Sequence, residues 1–449
     1  MKLHWLTRVY RPAMLLLMVS TFLGACATSG LPEGVAQNDF VKVEGRHFML
    51  KGEPYYFVGT NVWYGAYLGS VGEEGNRERL IRELDLLKAN GVTNLRMLAL
   101  SENSELTQSV QPAVMEQPGQ YNENLLKGLD FLLAEMAKRD MKAVLYFNNF
   151  WQWSGGMSQY VSWLTGDPVV DPDLTGKWNE FMDNSARFYR LPEAQRWYRD
   201  AIKTVVTRTN TINGRRYNED PTVMSWQLAN EPRPGSHIHG PEHFDAYKTW
   251  IHETAKYIHS LAPYQLVSTG SEGARGALDD IELFREAHAS PYVDYLTFHM
   301  WLKNWGWFDI HNPDATYDSA MATATDYIDL HVSMANTMNK PIVLSEFGAE
   351  RDEGEFEPGT TTQYRDRIYA EVFEQVYEHA AEGSAIAGTN FWAWGGYGRA
   401  AQENFKWLEG DDFTGDPPQE AQGLNSVFDT DDSTLSVIRG HAEKMHSLQ

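Results

Sequence analysis

The sequence predicts a parallel (β/α)8 TIM barrel, an α/β fold, and three observations carry that prediction. Apolar runs rich in Val, Ile, Leu and Phe alternate strictly with amphipathic stretches of helical period, as in a parallel sheet covered by helices. From YYFVGTN (55–61) onward there are eight such runs, which argues for closure into a barrel over a doubly wound open sheet. Polar side chains gather at the C-terminal tips of these runs, the end at which such a barrel presents its chemistry. The 449 residues fit one decorated barrel, since these units run from about 200 to over 400 residues.

Taken in order, the chain opens with Lys2, Arg8 and Arg11 and continues into MLLLMVSTFLGA (14–25), an apolar run too short to span a bilayer as a mature helix. It closes on Leu23-Gly24-Ala25-Cys26, which resembles a bacterial lipoprotein signal. Residues 1–25 are then a cleaved signal peptide, and Cys26, the only cysteine, is the lipidation site. The expected location is the cell envelope, at the outer membrane, with the membrane as a partner through the lipid. An ordinary secretory signal is the plainer reading. Loss of Lys2, Arg8 and Arg11 takes the net charge from −23 to −26 and leaves no disulfide. Residues 26–39 are small and polar, a flexible tether, and 40–449 form the barrel domain.

VKVEGRHFMLKGEPYYFVGTN (41–61) reads as two short strands about Glu44-Gly45-Arg46, then a longer run into Asn61. A helix over about 73–90 leads through Gly91 to the strand VTNLRML, and one over about 122–139 leads to KAVLYFN (142–148). A helix over about 193–209 precedes VMSWQLANEPRPG (223–235), where Pro232 stops the strand and leaves Glu231 at the rim. Helix 244–261 is followed by QLVSTGSEG (265–273), and LDDIELFREAH by DYLTFHM (294–300). Helix 317–338 runs into PIVLSEFGAE (341–350), and helix 361–381 into IAGTNFWAW (386–394). The tail (400–449) reads as a last loop and a closing helix.

Composition narrows the partner. A net charge of −23 argues against nucleic acid or an anionic polymer and suits a neutral substrate. Fifteen tryptophans exceed what a core alone uses. Many fall in NNFWQWSGGMSQYVSWLTG (148–166) and WLKNWGWFD (301–309), and tryptophans in such density mark interaction sites.

The strand tips carry Asn61, Arg96, Asn148, Asn149, Asn230, Glu231, Glu272, His299, Glu346, Trp392 and Trp394. Singly, each has a structural explanation: a buried ion pair, a core histidine, a solvated acid. Together at one end of one barrel they form a site. Two acids with aromatics and no metal cluster suit cleavage of a glycosidic bond, whose leaving oxygen must be protonated while the oxocarbenium is stabilised from the other side. Burial and a neighbouring negative charge can keep one carboxyl protonated. Arg96 would hold Glu346 ionised, Asn230 suits a donor to a sugar 2-hydroxyl, and Trp392 or Trp394 would floor the pocket.

These residues resemble glycoside hydrolase family 5 of clan A, through Asn-Glu-Pro ending strand 4 and Ser-Glu-Phe-Gly ending strand 7. GTNVWYG, NNFWQWSGG, ANEPR and GTNFWAW are similar to its β-mannanase and β-mannosidase-like subfamily over residues 40–449. The resemblance implies retaining hydrolysis with Glu231 as acid/base and Glu346 as nucleophile, and no cofactor. It places Arg96, Asn230, His299 and Trp392 around the reacting sugar and Arg233 toward the leaving group. Asn149, Glu272, Trp63, Trp151, Trp153, Trp301 and Trp394 complete the expected substrate contacts. Where many members have His-x-Tyr after strand 6, this chain has His299-Met300-Trp301.

The expected substrate is mannan or a manno-oligosaccharide, with endo and exo action both open. A β-1,4-glucanase and a non-catalytic sugar-binding lipoprotein are the alternatives. Glu272 competes for the acid role; Glu231 is preferred for its Asn partner, leaving Glu272 to a sugar hydroxyl. His237-Ile238-His239 has no third ligand at metal spacing, so no metal site is assigned. Two distances test the reading: Glu231 and Glu346 carboxyls about 5–5.5 Å apart, and Arg96 in reach of Glu346.

Overall fold

Eight predominantly apolar runs form one parallel sheet in the computed structural model, which describes Met1 and residues 31–449. The strands are β1 (Phe57–Asn61), β2 (Val92–Leu98), β3 (Lys142–Tyr146), β4 (Val223–Gln227), β5 (Leu266–Ser268), β6 (Leu296–Met300), β7 (Ile342–Phe347) and β8 (Ile386–Phe391). Their order around the sheet is β5-β4-β3-β2-β1-β8-β7-β6. Backbone bonds from Asp294 N to Val267 O (2.8 Å) and from His299 N to Glu272 O (3.1 Å) join the two ends, completing the barrel that the alternation predicts. The signal segment and Cys26 lie outside the described residues.

Register decides which residues share a level. Asn61 lies opposite Arg96, Tyr146 opposite Gln227, and His299 opposite Glu346, so chemistry scattered through the sequence converges at one rim. β5 is shorter than the run 265–273 suggests, because Gly270 (φ +77) and Gly273 (φ +92) leave the extended region. At Gly270 a Cβ would lie 1.9 Å from Ala229 O, so the turn needs glycine.

The covering helices are α1 (Arg77–Ala89), α2 (Glu123–Ala137), α3 (Pro192–Val206), α4 (Gly240–Leu261), α5 (Ile281–Ala287), α6 (Pro313–Met338), α7 (Gln363–Ala381) and α8 (Asp432–His446). Their starts follow capping chemistry. Asn76 accepts from Arg79 N, which delays α1 past residue 73, and Asn122 accepts from Asn124 N and Leu125 N at the start of α2. Proline in the first turn starts α4 and α6 earlier than apolar periodicity alone indicates.

The stretch 148–190 is largely helical: Gly156–Thr165 and Trp178–Ala186, then a 3-10 turn at Arg187–Arg190. Its apolar residues Met157, Tyr160, Val161, Phe181 and Met182 are buried at helical spacing, and it forms a shoulder over the rim. At the other end of the barrel a three-stranded meander, 42–54, packs Phe48 edge-on against Tyr295. After β8, Trp394–Gly396 pairs with Val427–Phe428, and the intervening chain folds back over the rim. No helix among the described residues is long and apolar enough to cross a membrane.

Candidate active site

Strand β4 ends by turning sharply. Glu231 has φ +49, a left-handed conformation costing about 1–2 kcal/mol for a residue with a Cβ, and a following proline disfavours it further. Three bonds hold the turn: Glu231 N to Gly270 O (3.0 Å), Tyr247 hydroxyl to Pro232 O (2.8 Å) and Tyr189 hydroxyl to Arg233 O (3.0 Å). The outcome is a carboxylate thrown across the barrel mouth toward β7. One carboxylate oxygen of Glu231, one of Glu346 and a ring nitrogen of His299 lie within 4.8 Å of one another.

Arg96 organises this centre from the middle of β2, where it is fully buried. NH1 donates to Glu346 Oε1 (2.5 Å) and Asn61 Oδ1 (3.0 Å), NH2 to Asn230 Oδ1 (2.8 Å), and Nε to Gln227 Oε1 (2.7 Å). The planar fork thereby addresses four acceptors at once, which a lysine could not. Arg96 does reach Glu346. Asn149 accepts from Asn230 Nδ2 (3.3 Å).

The two carboxyls are made unequal by their donors. Burial pushes both up from the carboxylate range, Glu346 well up, with the Glu231 charge raising Glu346 further. Against burial, Glu346 has the Arg96 guanidinium bonded to it, whereas Glu231 has the Arg233 and Arg96 charges nearby and the Trp151 and Trp301 indoles as neutral donors. Trp151 donates its N–H to Oε2 (2.5 Å), and His299 Nδ1 meets Oε1 (2.5 Å). Burial and the Arg96 charge hold His299 well below the usual imidazole value, so the ring is neutral. The guanidinium bonded to Glu346 alone favours the charge there and a shared proton on Glu231. With a guanidinium on one carboxylate and an indole N–H on the other, this trio is arranged for proton sharing rather than for a cation.

Above the carboxylates is a cleft of about 650 Å³, lined by Trp151, Trp153, Asn230, Glu231, Arg233, Glu272, Trp301, Glu346 and Trp392 among others. Arg233 pairs with Glu272, and burial raises the Glu272 carboxyl to about 7 against the pull of Arg233. Trp392 and Trp301 meet edge-on at 6.0 Å.

Several sequence-based assignments are corrected. Trp394 is buried away from the cleft, donating its N–H to Glu83 Oε2 (2.7 Å). Trp63 is likewise core, donating to Gly415 O (2.9 Å) and packing edge-on against Trp153. Asn149 lies one layer behind the surface, bracing Asn230. His299 is wholly buried and faces the two carboxylates, its Nδ1 3.3 Å from Glu346 Oε2. Among the described residues no tyrosine hydroxyl donates to Glu346. Trp151 is no open sugar platform: Phe181 lies parallel to it at 6.4 Å, and the Arg233 guanidinium sits over its ring at 4.7 Å. His237 and His239 pair with Asp279 and Glu242 at the surface.

Outside the aromatic loops 148–166 and 301–309, sequence reading missed four lining residues: Trp178, Arg275, Gln419 and Glu420. Trp178 was legible in principle, from the helical spacing of Trp178, Phe181, Met182 and Ser185. Glu420 was not, since it lies in a polar tail with no pattern. Burial raises its carboxyl to about 8. Beneath the cleft, Glu102 is fully buried, with Oε2 accepting from Gly156 N (3.0 Å) and Oε1 unpartnered, and burial raises it to about 8.

Comparison with known proteins agrees with this geometry. A family model described as GH family 5 β-mannosidase-like matches residues 38–449. Mannan endo-1,4-β-mannosidase 7 of Arabidopsis thaliana is 31% identical over 379 residues, covering 81% of this chain and 79% of its own. A glycoside hydrolase family 5 mannosidase from Rhizomucor miehei is 36% identical with a TM-score of 0.85, covering 92% of this chain and 99% of its own. The endo-1,4-β-mannanase of the same fungus, at 21% identity and a TM-score of 0.65, shares the fold over 91% of this chain and 99% of its own.

Proposed function

This chain belongs to glycoside hydrolase family 5, in its β-mannosidase-like group, and from that premise we propose that it is a retaining glycosidase cleaving β-1,4-mannosidic bonds in mannan-derived oligosaccharides. The observation that carries the reading is the pair of carboxylates, with oxygens within 4.8 Å and a guanidinium on only one of them. That approach suits the near spacing of about 5–5.5 Å used in retention, not the roughly 6.5–9.5 Å that leaves room for an attacking water.

In the proposed reaction Glu346 Oε attacks the anomeric carbon while Glu231 gives its proton to the departing glycosidic oxygen. The bond to the leaving sugar breaks and an ester to Glu346 forms. Water then enters, Glu231 takes its proton, and the ester is cleaved with the original configuration restored. Asn230, oriented through both ends of its amide by Arg96 and Asn149, addresses the sugar hydroxyl beside the anomeric centre. Trp392 and Trp301 offer apolar surface to the ring. Mannosyl substrates are favoured by the relatives' activities and by the Rhizomucor miehei mannosidase, a variant of which was solved with mannosyl-fructose. A walled cleft suits short chains.

Glu346→Ala and Glu231→Ala should each lose orders of magnitude in rate on mannohexaose. With an activated aryl β-mannoside, azide should rescue Glu231→Ala and yield the β-mannosyl azide. Either variant at near wild-type rate sinks the mechanism, and faster turnover of carboxymethylcellulose than of mannan sinks the substrate. Mannose alone from mannohexaose identifies exo action; mixed oligomers identify endo action. Anchoring through Cys26 is proposed with it, supported by the basic and apolar segments before Leu23-Gly24-Ala25-Cys26. Cys26→Ala should release the protein from membranes and abolish palmitate labelling.

A further inference from the structure

We infer that Trp151 serves the reaction through its indole N–H, as the positioning residue that binds Oε2 of Glu231 and so sets where and how tightly that carboxyl carries its proton. This rests on the role proposed for Glu231 and adds a partner that the reading does not contain. Three observations lead to it. The ring faces are occupied, by Phe181 in parallel at 6.4 Å and by the Arg233 guanidinium at 4.7 Å, so the ring is not free to stack on sugar. The N–H is spent on the carboxylate at 2.5 Å. The backbone that carries it is fixed, with Trp151 N donating to Asn149 Oδ1 (3.1 Å), and Asn149 in turn bracing Asn230.

Trp151 and His299 differ in what they can offer Glu231. His299 is a neutral imidazole, able to donate or accept at Nδ1 according to its tautomer. Its contact with Oε1 therefore survives in either protonation state of the acid. An indole can only donate. Its bond to Oε2 is stronger when that oxygen carries carboxylate charge than when it is the carbonyl oxygen of the acid, so Trp151 favours the carboxylate. It opposes burial, which favours the acid. A residue that must give a proton in the first step and take one back in the second needs both forms within reach, and Trp151 supplies the bias toward the second. Glu231 is also faced by Arg233 from its own loop, Arg96 from β2, Glu272 after β5, His299 from β6, the Trp301 indole just after β6, Glu346 from β7 and Glu420 after β8. Each of these acts through its own charge or bond, and replacing Trp151 removes none of them.

Trp151→Phe keeps an aromatic ring and deletes the donor. The Glu231 proton should bind more tightly, moving the basic limb of kcat/KM upward by about one pH unit. With 2,4-dinitrophenyl β-mannoside, whose leaving group needs no proton, breakdown of the glycosyl-enzyme limits the rate. There kcat should fall about tenfold at pH 5, and azide, which needs no base, should restore it. An unshifted limb, or a loss that azide does not restore, overturns the inference. β-(3-Benzothienyl)alanine at position 151, which replaces only N–H by sulfur, should behave like phenylalanine and covers the case in which Trp151→Phe folds poorly. A 13C titration of the Glu231 side-chain carboxyl, assigned with Glu231→Gln, reads the same upward shift with no substrate present. An enzyme inactive on mannosides would overturn the proposed function, while this titration would still decide the role of Trp151.

Discussion

Arg96→Met offers the sharpest thermodynamic test of how the centre is held. The substitution keeps a stem of comparable size and removes the donor of four hydrogen bonds. Breaking a buried ion pair from one side costs about 3–5 kcal/mol, because the remaining charge is uncompensated. Three amide oxygens also lose a donor, at about 1 kcal/mol each. In a Glu346→Gln background no charge is stranded by the change, and the unpaired guanidinium is itself relieved. The loss there should be about 2–3 kcal/mol, giving a coupling of about 2 kcal/mol or more. Urea denaturation of the four proteins at pH 7 measures it. The sign with pH is fixed as well. Without Arg96 the carboxyl is raised further above its ordinary 4.5, so the folded state prefers it protonated. The ion-pair part of the penalty is then absent at low pH and grows as pH rises, while the loss at the three amides does not change with pH. A coupling below about 0.5 kcal/mol would refute the claim that the guanidinium keeps Glu346 charged.

Three further outcomes follow from the same geometry. Burial lifts the Glu102 carboxyl to about 8, above the 4.5 of an ordinary glutamate, so its contribution to stability is complete below about pH 4.5 and is lost as pH rises through 8; Glu102→Gln should flatten that decline and exceed wild type by ~3 kcal/mol at pH 9 in urea melts, and parallel curves would exclude a buried acid there. Trp394→Phe should cost about 1–3 kcal/mol by depriving buried Glu83 of a donor while leaving KM on manno-oligosaccharides unchanged. Trp178, 41% exposed at the cleft edge and edge-on to Trp151, should act on longer chains: Trp178→Ala is expected to raise KM for mannotetraose about fivefold, the equivalent of about 1 kcal/mol of stacking, with aryl mannosides unaffected.

The barrel was legible because strand and helix periods are local, and because apolar runs ending in polar residues have few other uses. Arg96 and Glu346 were legible for a related reason, since a charge in an apolar strand has to meet an opposite charge. Sequence could not sort one tryptophan from the next. Trp392 lines the cleft and Trp394 the core, two residues apart, and the departure from strand geometry after Phe391 decides between them. Trp151 was located but misread, because the groups covering its ring, Phe181 and Arg233, come from a helix and a loop distant in sequence. His299 was expected near sugar, and only the pairing of β6 with β7 reveals that it faces carboxylates. The helical shoulder over 156–186 has no element assigned from sequence, since its glycines and prolines obscure a pattern that Met157, Tyr160 and Phe181 carry.

The join between β5 and β6 has a consequence for how the molecule fails. Every other neighbouring pair of strands is laced by a ladder, whereas this one has two backbone bonds, from the amides of Asp294 and His299, with side-chain bonds from Val267 N to Asp294 Oδ2 and from Thr297 Oγ1 to Ser271 O beside them. Warming should unzip the cylinder there first, so these two amides should trade deuterium sooner than those of β1 and β2. Because one of them belongs to the imidazole that touches both acids, hydrolysis should fade several degrees before the protein melts.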